Sequence, residues 1–219
     1  MVREYLRQGH SVPLPEPAKK FEGGYADIFV KGVVRNVHHC DVRSLYPTLM
    51  LTRGLGAGSD ELGVFLEMLG ILRDLRFRAK SGAHSAETEA ERKRLDAAQS
   101  AFKILINSFY GYLGFVQGHF NDFDTAASVT LQGRELLKSM IEWLREQGAT
   151  PVEIDTDGIY FVPPAVEGAG AEKAEEIFRR SFQEWLPDGI EVEFDGEYAA
   201  MFSYKVKNYA LLTSEGKMV

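Results

Sequence analysis

Asp41-Val42-Arg43-Ser44-Leu45-Tyr46-Pro47 decides how the rest of the chain is read. Ahead of it, Gly32 to Asp41 carries Val33, Val34, Val37 and Cys40 and predicts a buried strand that ends at the first carboxylate. Pro47 suits the first turn of a helix running to about Thr52, where its missing N–H is not needed. Much further along, Asp155-Thr156-Asp157-Gly158 has the same character. Pro151 to Asp155, a tight turn and Gly158 to Val162 predict a β-hairpin with two carboxylates at its tip. Asp-Gly alone is only a hairpin turn. Paired with Asp41 it is more, because three carboxylates so close would repel unless cations were present. Mg²⁺ takes oxygen ligands and few protein carboxylates, keeping water and substrate phosphate in its shell. Two such ions neutralise charge in phosphoryl transfer and acidify an attacking hydroxyl.

Between these runs lies Lys103-Ile104-Leu105-Ile106-Asn107-Ser108-Phe109-Tyr110-Gly111. In Glu61 to about Lys80, Leu62, Phe65, Leu66, Leu69, Leu72 and Leu75 recur at helical spacing, with Ser59 or Asp60 as cap and Ser81-Gly82 as stop. A second helix is expected from about Ser85 to Leu113, making an antiparallel pair. On it Lys103, Asn107 and Tyr110 fall at i, i+4 and i+7 and share one face. A third helix is expected over about Thr125 to Gln147, capped by Asp122 or Asp124. Pro163-Pro164 and Gly168-Ala169-Gly170 read as loop, Ala171 to Trp185 as helix. Ile190 to Phe194, Tyr198 to Tyr204 and Tyr209 to Thr213 read as strands, with another near Tyr25 to Lys31. Residues 1 to 24, with three prolines and Gly23-Gly24, read as an irregular lead-in. The pattern predicts an α+β fold, an antiparallel-rich sheet with helices on one face and a protruding helical hairpin.

The 14 Phe and 9 Tyr suffice for a core in 219 residues. A single cysteine, Cys40, excludes an intramolecular disulfide and fits a reducing compartment. Within His38-His39-Cys40, alternate strand residues face opposite ways, so one zinc ion is not expected there and Cys40 is read as core. No apolar run reaches membrane-spanning length and no export signal is present, so a cytoplasmic or nucleoid-associated location is expected. A net charge of −7 argues mildly against nucleic-acid binding. Even so, Arg73, Arg76, Arg78, Lys80, Arg92, Lys93, Arg94 and Lys103 crowd one third of the chain.

With these residues in view, the chain resembles the family B DNA polymerases. Asp41 to Pro47 looks like that family's motif A, Lys103 to Gly111 like motif B, and Asp155-Thr156-Asp157 like motif C. Lys207-Asn208-Tyr209 resembles the Lys-x-Tyr element, and Glu22-Gly23-Gly24-Tyr25 the Gly-Gly segment ahead of motif A. The resemblance implies a palm sheet and a fingers hairpin. Residues 1–57 would hold the N-terminal segment and first part of the palm, 58–114 the fingers, and 115–219 the second part of the palm.

It also implies roles. Asp41 and Asp157 would ligate two Mg²⁺ ions, for which Mn²⁺ can substitute, with Asp155 close by as a further candidate ligand. Ser44, Leu45 and Tyr46 would face the triphosphate of an incoming dNTP, the Tyr46 ring leaving no room for a 2′-hydroxyl. Lys103 and Arg76 would reach the phosphates, and the Arg76 guanidinium fork suits phosphate oxygens. Asn107 and Tyr110 would line the pocket near the nascent base pair. Lys207 and Tyr209 would touch primer–template DNA.

The match departs in three places. Gly158 stands where Ser is usual and is read as a tolerant position. Glu153-Ile154 stands where Tyr-Gly is common, and Glu153 is read as a solvated strand edge, with a metal ligand as the alternative. No Asp-x-Glu exonuclease signature precedes motif A, and ten residues follow Tyr209, where family members continue into a thumb. The expectation is a fragment or a much reduced polymerase with weak duplex binding, low processivity and no proofreading, for which a missing thumb or partner subunit is a candidate partner. Two rivals remain: a non-catalytic nucleic-acid-binding remnant of the fold, and a metal-dependent phosphatase or nuclease. The second does not account for Tyr46 or for Lys103 to Gly111.

Overall fold

A computed structural model describes residues 1–165 and 171–219; the Gly168-Ala169-Gly170 part of the expected loop lies outside them. The chain divides into two compact units, Met1–Glu22 with Tyr46–Thr130, and Gly23–Leu45 with Leu131–Val219.

The second unit is built on six antiparallel strands: β1 (Tyr25–Ile28), β2 (Gly32–Val42), β3 (Thr150–Thr156), β4 (Gly158–Val162), β5 (Val192–Lys205) and β6 (Asn208–Leu212). Their order is β1-β3-β4-β2-β5-β6, which puts the strands bearing Asp41 and the Asp157 turn side by side at the centre. Two strands, β4 and β2, separate β3 from β5, yet Ser203 on β5 donates its hydroxyl to Glu153 on β3 at 2.5 Å. Likewise the Tyr160 and Tyr209 hydroxyls on β4 and β6 meet at 3.0 Å. The sheet therefore curls, as twisted antiparallel sheets do, around an inner cluster of Val37, Val152, Tyr160, Met201 and Leu211. The opposite face is covered by aromatics from the later turns of α5 (Phe123–Glu146) and from α6 (Ala171–Trp185). Trp143 stacks on Phe182 at 4.7 Å between centroids, Phe178 meets Phe161, and Phe182 meets Phe194. Each fully buried ring of this kind stabilises the unit by about 2–3 kcal/mol.

The first unit holds α1 (Val2–Arg7), most of α2 (Leu45–Arg53), α3 (Val64–Ser85), α4 (Glu89–Leu113) and the first turns of α5. Its core joins Tyr5, Met50, Phe65, Leu69, Ile106, Leu113 and Phe120. Helices α3 and α4 run antiparallel, since Phe65 meets Phe109 at one end and Gly82 lies against Leu95 at the other. Thr88 caps α4 by accepting the Glu91 N–H at 3.2 Å.

The α+β class and the antiparallel sheet agree with the sequence reading; four local expectations do not. The lead-in contains α1, whose Tyr5 is buried and donates its hydroxyl to Asp60 at 2.6 Å. The rest of the lead-in is tied down too, by paired bonds between Glu16 backbone and Asn121 side chain and by Thr130 donating to the Glu22 carbonyl. Ser81-Gly82 does not stop α3. A Cβ at Gly82 would lie 3.1 Å from Leu95, so the glycine serves close helix approach rather than a C-cap. Asp60 bonds the Phe65 N–H at 2.6 Å, but from outside a helix that begins only at Val64. The runs at Ile190 to Phe194 and Tyr198 to Tyr204 belong largely to the one strand β5, with Gly196 inside it because the Tyr198 ring occupies the space a side chain there would need.

Candidate active site

Asp41 is the penultimate residue of β2 and stands opposite Gly158 on β4. Val42 donates its N–H to the Asp157 carbonyl at 2.9 Å, which locks the backbone of the second aspartate to the strand of the first. Asp157 in turn donates its N–H to the Asp155 carbonyl at 2.8 Å, across Thr156 at φ 66°. A left-handed β-branched residue costs about 1–3 kcal/mol and persists only where its surroundings over-determine it. Asp41, Asp155 and Asp157 are all partly buried. This donor set is entirely hard oxygen, which fits a divalent ion such as Mg²⁺. Cys40 is fully buried and adds no donor; burial and the neighbouring Asp41 and Asp195 charges push its thiol far up, so it stays protonated.

Lys207 comes to the same turn. Its Nζ lies 2.7 Å from Asp155 Oδ1 and donates to Thr156 Oγ1 at 3.0 Å. Asp155 therefore already carries a cation of the chain itself. Tyr209 packs against the inner face of the sheet and shares its hydroxyl with Tyr160, whose phenol is pushed up by burial and by that bond.

The structure overturns two readings at this end of the sheet. Glu153 is not a solvated edge: it is fully buried and accepts the Ser203 hydroxyl and the Lys207 N–H at 2.7 Å. Its apolar flanks, Val152 and Ile154, gave no signal of this, because in strand alternation they speak only for the opposite face. Gly158 is not a tolerant position either. A Cβ there would fall 2.4 Å from His39 Nε2. That ring is held by Asp195 through Nδ1 at 2.5 Å and lies on Tyr160 at 4.3 Å, so it cannot swing aside freely. Thr156, His39, Asp195 and Ser203 were not singled out from the sequence as site residues, since their importance depends on which strands the curl brings together.

His38 faces the other way from His39, as alternation requires. With Glu175 and Glu197 it forms a group whose donor atoms lie within 4.8 Å of one another. Arg179 bonds both glutamates, so a guanidinium already occupies this group, which ties α6 to β2 and β5.

In the first unit, Lys103 and Asn107 are exposed and Tyr110 half-buried on one face of α4, beside the stripe of the buried Ile106 and Leu113. Tyr46 lies against Tyr110 at 4.5 Å between centroids, and burial pushes the Tyr110 phenol up. Arg76 is half-buried on α3. In the second unit, Ser44 turns the chain out of β2 at φ 48°, followed by a buried Leu45.

The family model described as DNA polymerase family B matches residues 57–218. DNA polymerase 1 of Pyrococcus abyssi is 30% identical over 92% of this chain and 29% of its own length. A DNA polymerase of Thermococcus sp. is 31% identical over 90% of this chain and 29% of its own. The solved family B DNA polymerase of Pyrobaculum calidifontis shares the fold with a TM-score of 0.71 at 23% identity, over 99% of this chain and 31% of that one. The chain thus spans just under a third of the length of the relatives it matches. Among the described residues no helix is long and apolar enough to cross a membrane.

Proposed function

The chain belongs to DNA polymerase family B, and from that premise we propose that it is the palm-and-fingers core of a template-directed DNA polymerase. Its substrates are a dNTP and primer–template DNA, and its reaction is attack of the primer 3′-hydroxyl on the α-phosphate with release of pyrophosphate. The observation that supports this most is the locked register at the sheet centre, where Asp41 faces Gly158 and Val42 holds the Asp157 carbonyl.

Asp41 and Asp157 are the residues that would hold two Mg²⁺ ions, with Mn²⁺ as a substitute. When bound, these ions acidify the attacking hydroxyl and neutralise the phosphates. Lys207 satisfies Asp155, which leaves Asp155 a supporting part in the metal site. The Ser44–Leu45 turn offers backbone to the triphosphate. Tyr46, backed by the Tyr110 ring, presents a fixed edge to the sugar and excludes a 2′-hydroxyl. Lys103 and Arg76 offset the charge that develops on the leaving pyrophosphate, and Asn107 lines the base-pair pocket.

Primer extension on a short primed template, with Mg²⁺ and then Mn²⁺, tests the reading beside the Asp41→Ala/Asp157→Ala variant. The expected result is templated extension that falls by about a thousandfold or more in the variant. A folded wild-type protein that binds dNTP and metal without extending primer would mean that a thumb or partner must be added. A folded protein that binds neither would put the non-catalytic remnant reading in front.

A further inference from the structure

We infer that Glu153 is a positioning residue that fixes the β5–β6 turn so that Lys207 stands beside Asp155 and Thr156, ready to meet a DNA phosphate. The inference rests on the proposed function and on the primer–template contact expected for Lys207.

Three observations carry it. First, Glu153 is fully buried on β3, and its two carboxylate oxygens take different donors: Oε2 the hydroxyl of Ser203, Oε1 the backbone N–H of Lys207. Burying a carboxylate is costly even when it is well bonded, and an apolar side chain would fill the space at less expense. What an apolar residue cannot do is hold one particular N–H. Second, Lys207 has φ 61°, a conformation that glycine adopts freely and a lysine does not. The turn keeps a long cationic side chain where its backbone is least at ease, and the Glu153 bond grips the amide of that same residue. Third, the side chain so placed has its Nζ on Asp155 and Thr156 while remaining 52% exposed. The ammonium is anchored on one side and open to solvent on the other, so a polyanion can reach it. Register fixes the geometry, since Glu153 lies two residues before Asp155 on one strand: the carboxylate that holds the Lys207 backbone and the carboxylate that receives its side chain move together.

The test uses fluorescence anisotropy of a labelled primed DNA duplex across a salt series, with no chemistry required. Each phosphate contact steepens the dependence of log affinity on log salt by about one. Lys207→Ala is expected to make the slope shallower by about one. Glu153→Met, which fills the space but cannot accept a hydrogen bond, is expected to do the same. The double variant is expected to be no shallower than Lys207→Ala alone. Glu153→Gln, whose oxygen can still accept the Lys207 N–H, is expected to keep the wild-type slope. A folded Glu153→Met with the wild-type slope beside a shallower Lys207→Ala would overturn the inference and leave Glu153 a structural residue. If Lys207→Ala itself keeps the wild-type slope, or wild type binds no duplex, the duplex role of Lys207 fails and the inference with it. Hydrogen exchange in the wild-type protein needs no variant to fold: the Lys207 amide is expected to be strongly protected, and exchange at the rate of an open turn would show that Glu153 does not hold it.

Discussion

At the carboxylate end of the sheet, Ser44, Thr156 and Lys207 all sit in left-handed backbone conformations, whereas α4 offers Lys103, Asn107 and Tyr110 from an unbroken helix. The first region stores strain and holds it with specific bonds: Asp157 to Asp155, Val42 to Asp157, Lys207 to Glu153. The second stores none, because Lys103 and Asn107 stand exposed on a regular helix and only Tyr110 is packed. Two ways of presenting chemistry follow. At the carboxylate end, where the proposed function requires metal ions to be held at fixed separation, the backbone itself is the positioning device, and substitutions there disturb structure and function together. Where groups need only offer charge to a substrate, a regular helix suffices, and function can be removed with the fold intact.

Lys103→Ala probes the second half of that contrast and carries the larger expected effect. Nucleotide incorporation should fall by about a hundredfold, the scale for removing one preorganised charge from a reacting phosphate. Unfolding stability should stay within about 0.5 kcal/mol, as for exposed positions in general. Incorporation is read by single-turnover kinetics and stability by urea titration. A loss of stability well beyond that range would show that the helix face is part of the scaffold after all, and the contrast would break.

Gly158→Ser probes the first half. The added side chain meets the His39 ring, which Asp195 and Tyr160 hold in place. Overpacking of this kind costs about 1–3 kcal/mol. Removing the obstacle in Gly158→Ser/His39→Ala should recover most of it, a non-additivity expected only for residues in contact. Two additive penalties would mean that the turn is strained by its own backbone and not by the ring above it.

The contrast also explains what could be read from the sequence. The helical hairpin was legible because period and face are local: Lys103, Asn107 and Tyr110 share one face, exposed at Lys103 and Asn107 and half-buried at Tyr110. The strand bearing Asp41 and the hairpin whose turn carries Asp157 were legible because each has an apolar run leading to a carboxylate. The part played by Glu153 was not. Its partners Ser203 and Lys207 lie about fifty residues away in sequence, across two intervening strands, and meet it only because the sheet curls. Gly158 was misread for the same reason, since nothing local to Asp155-Thr156-Asp157-Gly158 tells that a histidine from β2 lies over it. Gly82 shows the reverse error: a glycine with a local meaning as a stop serves a nonlocal one, letting α4 approach.

Asp122 gives the smallest effect and sharpens the contrast, because it is an over-determined residue outside the carboxylate end of the sheet. It caps α5 by accepting the Thr125 N–H and hydroxyl, and also takes the N–H of Gly58, each at 2.8 or 2.9 Å. Burial alone would raise its carboxyl, but the Thr125 and Gly58 N–H groups outweigh that and hold it below the usual aspartate value. The folded value thus lies below that of the unfolded chain, about 3.9. The stabilisation is therefore complete above that pH and fades as pH falls through the folded value. Asp122→Ala should cost about 1 kcal/mol near pH 7, the usual worth of an N-cap. The gap between variant and wild type in urea midpoint should narrow as the pH falls through the folded value. A gap that stays the same in acid would mean that the site needs an acceptor of the right shape and not a charge. Strong hydrogen bonding would then be a property of this turn's geometry and not of its charge.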